Sequence, residues 1–494
     1  VTLTARDGEI EISGDLLGFD GEFYRVETIY GELTVDGSGV LCEGPGCPSL
    51  EDYVARVSIS GAPVMGRVLL PALIEAFAIR KAYDVERLET DGNTLVYRLF
   101  GDGRERPAGE FTLRLPNTEE GFADLLANEA DIVMADREIR SEELRHARQA
   151  GLGDLESKGR SRVIALDALV PVVSPSNPVQ GVTPAELAGV LSGDIANWSA
   201  LGGPDAPIAV HLRDETSGLG QATEDRLLAP ADRGLAAGAQ RHGTSRALLE
   251  AVTQDPFALG VTYRSETGEA LPLVLEGSCG FAVQASRRAI KTEDYPLTAP
   301  LFLYLPARRF PKLVREFLDY LRHPSAQLVI RRAGFVDQAP EEIAISAQGD
   351  RFANAIAQAG PEVGLGELKR MMALLTPLAR LTTTFRFEAG SARLDAQSRS
   401  NVQALARALE MGLYDARRIV FVGFSDGQGS AAANRDIAMR RAKAVRAAVL
   451  GGAETAQLDR LTVETAAFGE ALPMACDDSA WGRKVNRRVE VWVR

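Results

Sequence analysis

Apolar and polar positions change their period along the chain, and each change marks a different kind of element. Through residues 1–54, runs such as "GEIEISGD" and "GEFYRVETIYG" alternate apolar with polar side chains between Gly and Asp punctuation, as half-buried strands joined by hairpins do. A small β module is expected there. From about 55 to 335, apolar helical stretches such as "VLLPALIEAFAI" (68–79) alternate with strand runs such as "ALVPVVS" (168–174). Such alternation predicts an α/β arrangement around a largely parallel sheet. Strand character fades over 336–379, where "GDRFANAIAQAG" and "LGELKRMMALLTPLARL" read as linker helices broken by Gly and Pro. The tail, 380–494, returns to alternation. It reads strand ("TTTFRFEAG"), helix ("SRSNVQALARALE"), strand ("RRIVFVGFS"), helix (434–450), then strands "LTVETAAFG" and "RRVEVWV", a compact α/β domain of ordinary size.

The chain of 494 residues is too long for one ordinary core. Its 45% apolar and 25% charged content is that of a folded protein. A formal net charge of −13 argues against a sequence-independent nucleic-acid binder, which needs a basic face to neutralise phosphates. No run approaches the roughly 20 apolar residues of a membrane span. The numbering opens on Val1 rather than a methionine, so any export signal is expected to have been removed or left out of the numbering. Of the four cysteines, Cys42 and Cys47 flank "EGPG", a turn that suits a local disulfide and hence an oxidising compartment. The pairing of Cys279 and Cys476 does not follow from the sequence.

Catalytic chemistry is hard to find. His146, His211, His242 and His323 stand outside any metal-ligand spacing, and there is no G-x-S-x-G elbow, P-loop or Rossmann glycine run. No catalytic residue, metal or cofactor is expected, and binding is the favoured class of function.

One constellation does carry chemistry. In "FSDGQGSAAANRDIAMRRAKAV" (424–445), Asp426 follows an apolar strand, Gly427 and Gly429 permit a tight loop, and a helix begins near Ala432. At helical spacing Arg441 falls in line with Ile437, Val445 and Ala448, on the stripe expected to be apolar. A buried guanidinium needs a partner. Either Asp426 pairs with it, or acid and arginine face a cleft that suits a zwitterion, the Asp taking an ammonium and the Arg a carboxylate.

These residues resemble the OmpA-like peptidoglycan-binding domain. "FVGFSDGQGS", an Asn eight and an Arg fifteen residues after the Asp, and the closing "GRKVNRRVEVWV" carry the likeness, with Phe424 and Ser425 where His and Thr are usual. The resemblance implies that Asp426 and Arg441 hold the amino and carboxylate groups of diaminopimelate in the peptidoglycan stem peptide, with Asn434 and Arg487 in support.

The middle of the chain resembles phosphate-type (PstS-like) periplasmic substrate-binding proteins. "NPVQGVTPAELAGVLSGDIANWSALGGPDAPIAVHLRDETSG" carries the likeness, supported by "ADIVMADREIR", "DPFALGVTY" and "YPLTAPLFLYLP". It implies a two-lobed periplasmic binding protein (type II-like) fold over 55–335, with the second lobe at about 166–265 and a ligand held by Gly61, Ala62, Asp136, Arg213, Ser217 and Gly218. The binding loops depart from the family. Ala62, Pro63 and Val64 in "SGAPVMG", Ala135 in "MADR" and Leu219 stand where hydroxyls or a backbone donor are usual. Phosphate binding is therefore expected to be weak or altered.

The expected whole is an α/β protein: a β module, a two-lobed binding domain, a helical linker and an OmpA-like α/β sandwich. Its expected setting is the periplasm of a Gram-negative envelope, associated with peptidoglycan and the outer membrane. The expected partners are diaminopimelate-type peptidoglycan and a small anion such as phosphate. The alternative is an anchored scaffold whose vestigial cleft docks an envelope protein.

Overall fold

The computed structural model describes residues 1–49, 53–388, 391 and 393–494. The chain forms two compact units, Val1–Ile164 with Phe302–Gly334, and Ala165–Leu301 with Phe335–Arg494.

The first unit opens with the expected hairpins. Thr2–Ala5 lies between Glu11–Ser13 and Val40–Glu43, and Asp15–Phe19, Phe23–Thr28 and Gly31–Asp36 form a meander. Leu3, Tyr24 and Val26 make its small core, and Cys42 is bonded to Cys47. The module is tied to the rest of the unit by Arg315, which ion-pairs with Glu22 at 2.7 Å, and by the Lys312 amide, which donates to the Asp20 carbonyl at 2.8 Å. Next comes a sheet in which Ala55–Gly61 runs parallel to both Gly109–Arg114 and Ile132–Ala135. Thr94–Phe100, Asp84–Glu89 and the returning segment that begins at Phe302 add antiparallel neighbours. The expectation of a largely parallel sheet is thus corrected to a mixed one. Helix Leu70–Arg80 covers most of the predicted stretch, ending one residue beyond it, and buries Leu70, Leu73, Ile74 and Phe77, the i, i+3, i+4, i+7 face.

In the second unit, Ala209–Arg213 runs parallel to Gln240–His242 and Ala258–Tyr263, and Leu169–Val173 pairs antiparallel with the latter. The chain rejoins the first unit at Phe302 rather than near 265, so residues 266–301 stay with the second. A separate five-stranded sheet follows, ordered Glu342–Ile343, Ala379–Arg386, Arg488–Val493, Arg418–Phe424, Thr462–Gly469. Only its last two strands are parallel.

This sheet is buried on both faces, which is why "IVFVGF" reads as one apolar run. Ile419 and Phe421 pack with Leu405, Leu409, Val445 and Val449 from helices Ala396–Glu410 and Ala431–Gly452. Val420, Val422, Phe424 and Trp492 point to the opposite face and pack with Ala355, Met371 and Leu375. The last three come from helices Gly349–Ala357 and Leu365–Leu375. The expected linker is helical, but its helices are packed into a core rather than strung between domains.

The C-terminal domain is joined to residues 165–301 in several ways. Cys279 is bonded to Cys476 across 197 residues of sequence. The Trp481 indole donates to the Arg226 carbonyl at 2.7 Å, and Arg386 donates to the Glu293 carbonyl at 2.5 Å. Beneath the sheet Glu490, fully buried, accepts from Arg488 at 2.7 Å, from the Trp492 indole at 3.0 Å and from Arg351. A charge so enclosed is tolerable only because several donors converge on it.

Candidate functional site

The loop bearing Asp426 leaves the end of strand Arg418–Phe424 and enters helix Ala431–Gly452, whose first turn is capped by Ser430. The helix lies close against the strand. A Cβ at Gly423 would stand 2.1 Å from the Ala438 carbonyl oxygen, so only glycine permits the approach. The buried face of the helix is Asn434, Ala438, Ala442, Val445 and Val449. This corrects the predicted stripe of Ile437, Arg441, Val445 and Ala448. The small side chains of Ala438 and Ala442 meet the sheet, Ala448 is exposed, and Arg441 sits half-buried on the shoulder.

Asp426 and Arg441 belong to one neighbourhood, though not as a pair. The Asp426 carboxylate accepts from Arg487 at 2.6 Å. The Arg441 guanidinium lies over the Phe387 ring, 5.0 Å from its centroid, and makes no hydrogen bond or ion pair to any described residue. Burial and the neighbouring Arg487 push the Arg441 pKa down, while Asp426 pulls it up. The guanidinium still carries its charge at any ordinary pH. The site thus combines a held carboxylate with a second arginine, propped on an aromatic face, whose donors meet no acceptor among the described residues. Asn434 is buried and its amide donates to Glu470, tying the helix to the loop after strand Thr462–Gly469.

Three contributors escaped the sequence reading: Phe387, Glu470 and Asp477. Asp477 accepts from the Gly427 amide at 2.6 Å and from the Asn486 side chain at 2.7 Å. Asn486 in turn accepts from the Met474 and Ala475 amides at 2.7 and 3.1 Å. No local pattern marks Asp477, which reaches Gly427 across 50 positions of sequence; its one signal was the cysteine beside it.

The residues nominated in the central domain lie where open α/β sheets bind ligands, at the carboxyl ends of strands. In the first unit, Gly61 ends Ala55–Gly61 and Asp136 follows Ile132–Ala135. Gly61 has a φ of 138°, and a Cβ there would lie 2.0 Å from the Met134 carbonyl oxygen. The Ala62 amide donates to that same carbonyl at 2.8 Å. Asp136 is buried and accepts from the Thr118 hydroxyl at 2.5 Å.

In the second unit, Arg213 ends its strand and Ser217 caps the short helix Gly218–Thr223. The Arg213 guanidinium donates to the His242 carbonyl at 3.0 Å, the Gly243 carbonyl at 2.9 Å and the Ser245 hydroxyl at 3.1 Å. The Ser217 hydroxyl donates to the Asp214 carbonyl at 2.6 Å and accepts from the Gly220 amide at 3.0 Å. Several donors that could serve an anion are therefore committed within their own unit.

Among the described residues no cluster of His, Cys, Asp and Glu has metal-binding geometry, and no helix is long and apolar enough to cross a membrane.

Family models match two stretches of the chain. The family model for a PBP superfamily domain matches residues 55–324, and that of the OmpA family matches residues 386–487. Protein SphX of Synechococcus elongatus is 29% identical over 294 residues, covering 54% of this chain and 84% of that protein. The phosphate-binding protein PstS of Borreliella burgdorferi is 23% identical over 188 residues, covering 37% of this chain and 67% of that protein. Among solved structures, a putative phosphate ABC transporter substrate-binding protein with bound phosphate from Clostridium perfringens aligns with a TM-score of 0.45 at 22% identity. That alignment covers 57% of this chain and 99% of the other.

Proposed function

Since the chain belongs to the PBP superfamily and carries an OmpA family domain at its C-terminal end, we propose that it is a non-enzymatic binding protein of the Gram-negative periplasm, anchored to peptidoglycan. The observation that carries this reading is Arg441, a half-buried arginine without a hydrogen-bonding partner among the described residues, beside the Asp426–Arg487 pair. An unsatisfied guanidinium is costly to keep out of water. A ligand carboxylate taken by its fork removes that cost, and an ammonium on the same ligand is met by Asp426. Diaminopimelate presents both groups on one carbon. Asn434 and Arg487 support the pocket, the first by fixing the helix and the second by holding the acid.

The PBP domain takes a small anion such as phosphate, weakly or with altered specificity. Supporting this are the internal commitments of Arg213, Ser217 and the Ala62 amide and the absence of hydroxyls at Ala62, Val64, Ala135 and Leu219. An envelope location suits both domains and the two disulfides.

The test is sedimentation of the full chain with diaminopimelate-type peptidoglycan. Wild type should co-sediment, and Asp426→Ala and Arg441→Ala should each abolish it. Retention by both variants would refute the pocket assignment.

A further inference from the structure

The loop that carries the acid of the pocket is braced by a segment that is itself tied to residues outside the OmpA family match. Asp426 precedes Gly427, whose amide donates to Asp477 at 2.6 Å. A Cβ on Gly427 would stand 2.8 Å from the same carboxylate oxygen, so glycine is what lets the two approach. The other oxygen of Asp477 accepts from Asn486, and its carbonyl accepts from Arg483 at 2.9 Å. Asn486 precedes Arg487, the partner of Asp426. Asp477 therefore touches both strands of the pocket: the loop that carries the acid and the turn that carries the arginine holding it.

The neighbour of Asp477 in sequence is Cys476, which is buried and bonded to Cys279 in the 165–301 portion of the unit. The Cys279 amide donates to the Cys476 sulfur at 3.0 Å, and the Ser278 hydroxyl donates to Asp478. Backbone packs close on either side: a Cβ at Gly277 would fall 2.4 Å from the Cys476 sulfur, and one at Gly482 only 1.7 Å from the Cys476 carbonyl oxygen. The segment 476–478 is thus fixed by atoms outside the OmpA family match, which covers 386–487.

We propose that Asp477 is a positioning residue for the diaminopimelate pocket, and that the Cys279–Cys476 bridge keeps it in register, so that a bond to the solute-binding part of the chain sets peptidoglycan affinity. The proposal rests on the peptidoglycan reading above. Its physical basis is that a carboxylate accepting two donors fixes both, and a pocket whose acid is free to wander loses the benefit of preorganisation. With Asn at 477, one oxygen is replaced by an amide that itself donates, and one of the two hydrogen bonds is lost.

The experiment uses the full chain and a soluble diaminopimelate-containing muropeptide as probe. Affinity is measured by calorimetry, and backbone hydrogen exchange is followed over residues 424–430. Asp477→Asn, Gly427→Ala and the Cys279→Ser/Cys476→Ser pair should each weaken binding about tenfold or more. Exchange should rise in that loop while the helix Ala396–Glu410 keeps its protection. A Cys42→Ser/Cys47→Ser pair should bind as wild type does. If Asp426→Ala abolishes binding while Asp477→Asn and the Cys279/Cys476 pair bind with wild-type affinity, the positioning role is wrong and the peptidoglycan reading stands. If Asp426→Ala itself binds normally, both fall. Should the cysteine pair fail to fold, Asp477→Asn and Gly427→Ala carry the test with the bridge intact. Exchange raised evenly across the whole unit in those two would mean general destabilisation and would overturn the proposal.

Discussion

Arg380 donates to both oxygens of Asp294, at 2.7 and 3.0 Å, in a fork-to-fork pair that is buried on both sides. Burial alone would raise the Asp294 pKa, but the charge and hydrogen bonds of Arg380 outweigh it, and the pKa lies below its ordinary value. Arg380 lies near the start of strand Ala379–Arg386, which leads into the OmpA family match, whereas Asp294 belongs to the segment following helix Arg287–Lys291. The pair therefore makes two parts of the chain one folding unit. Asp294→Asn leaves Arg380 buried with Glu490, at 3.5 Å, as its remaining charge partner among the described residues, and should cost about 3–5 kcal/mol in chemical denaturation. Denaturation monitored at Trp492 and at Trp198 should give one coincident transition in wild type. A 380–494 fragment expressed alone, deprived of Asp294 and Cys279, should be markedly less stable than the same residues in the full chain.

The elements around this pair show what the sequence could and could not reveal. Asp426, Arg441 and Arg487 were legible because the loop glycines, the helix start and the closing "NRRVE" are local signals with fixed spacing. The predicted stripe through Arg441 was displaced because close packing against Gly423 selects the alanines, and side-chain size is invisible to a pattern of apolar and polar letters. The 336–379 helices read as a linker because Gly and Pro interrupt them; what they bury against lies more than 40 positions further on, at Val420 and Trp492. Asp477, Phe387 and the partner of Cys279 could not be found at all. Each acts through a contact between distant segments, and such contacts leave no trace in local periodicity.

Glu293 predicts an unusual pH dependence. Burial, with a smaller contribution from Asp395 and against the pull of Arg386 and Lys484, pushes its pKa up to about 8, and one of its oxygens has no hydrogen-bond partner among the described residues. Buried Asp167 is pushed up to about 7 by the same desolvation, despite hydrogen bonds from Ser265 and Ala168. Ordinary unfolded values are near 4.5 and 3.8, so between those values and the raised ones the native state binds more protons than the unfolded state. Stability from these groups is fully present below about pH 4 and is lost as pH rises through 7 to 8. Glu293→Gln should therefore gain stability over wild type as pH is raised from 5 to 8.5 in urea titrations. A gap between the two proteins that stays constant over that range would count against the assignment.

Glu341 works in the opposite direction. Although burial would raise it, hydrogen bonds from Arg287 and Lys291 at 2.5 and 2.7 Å hold its pKa down to about 2. The contribution is present above the unfolded value near 4.5 and is lost as pH falls toward 2. One third of its side chain is exposed, so solvent screening keeps the effect small. Glu341→Gln should lower the melting temperature at pH 7 and leave it unchanged near pH 2, as measured by calorimetry.

Phosphate binding offers the last test, and Arg213 is the residue on which it turns. In an anion site an arginine presents its fork to the ligand. Here the Nε and both terminal nitrogens already donate to the His242 and Gly243 carbonyls and the Ser245 hydroxyl, so the side chain fastens its strand to the turn before helix Ser245–Gln254. The Ser217 hydroxyl and the Ala62 amide are likewise engaged, and Leu219 and Val64 bring no hydroxyl. Hydrogen bonds to a charged group contribute about 1.5–3 kcal/mol each. Losing two of them should place phosphate affinity at least a hundredfold below that of a phosphate-binding protein with a full donor set, since about 1.4 kcal/mol is tenfold. Titration of the full chain with phosphate measures this directly, and micromolar or tighter affinity would show that other donors rebuild the site. Arg213→Ala separates the two roles. If the arginine is structural, the substitution should cost about 0.5–1.5 kcal/mol of stability, the range for an ordinary hydrogen bond, because its acceptors are partly or fully open to solvent, and change weak anion binding little. If its fork swings to the ligand, affinity should collapse while stability holds. Ala62→Ser with Leu219→Thr should then strengthen phosphate binding only in a domain that has kept the geometry of an anion site, and a tenfold gain would show that specificity was altered by side-chain replacement alone.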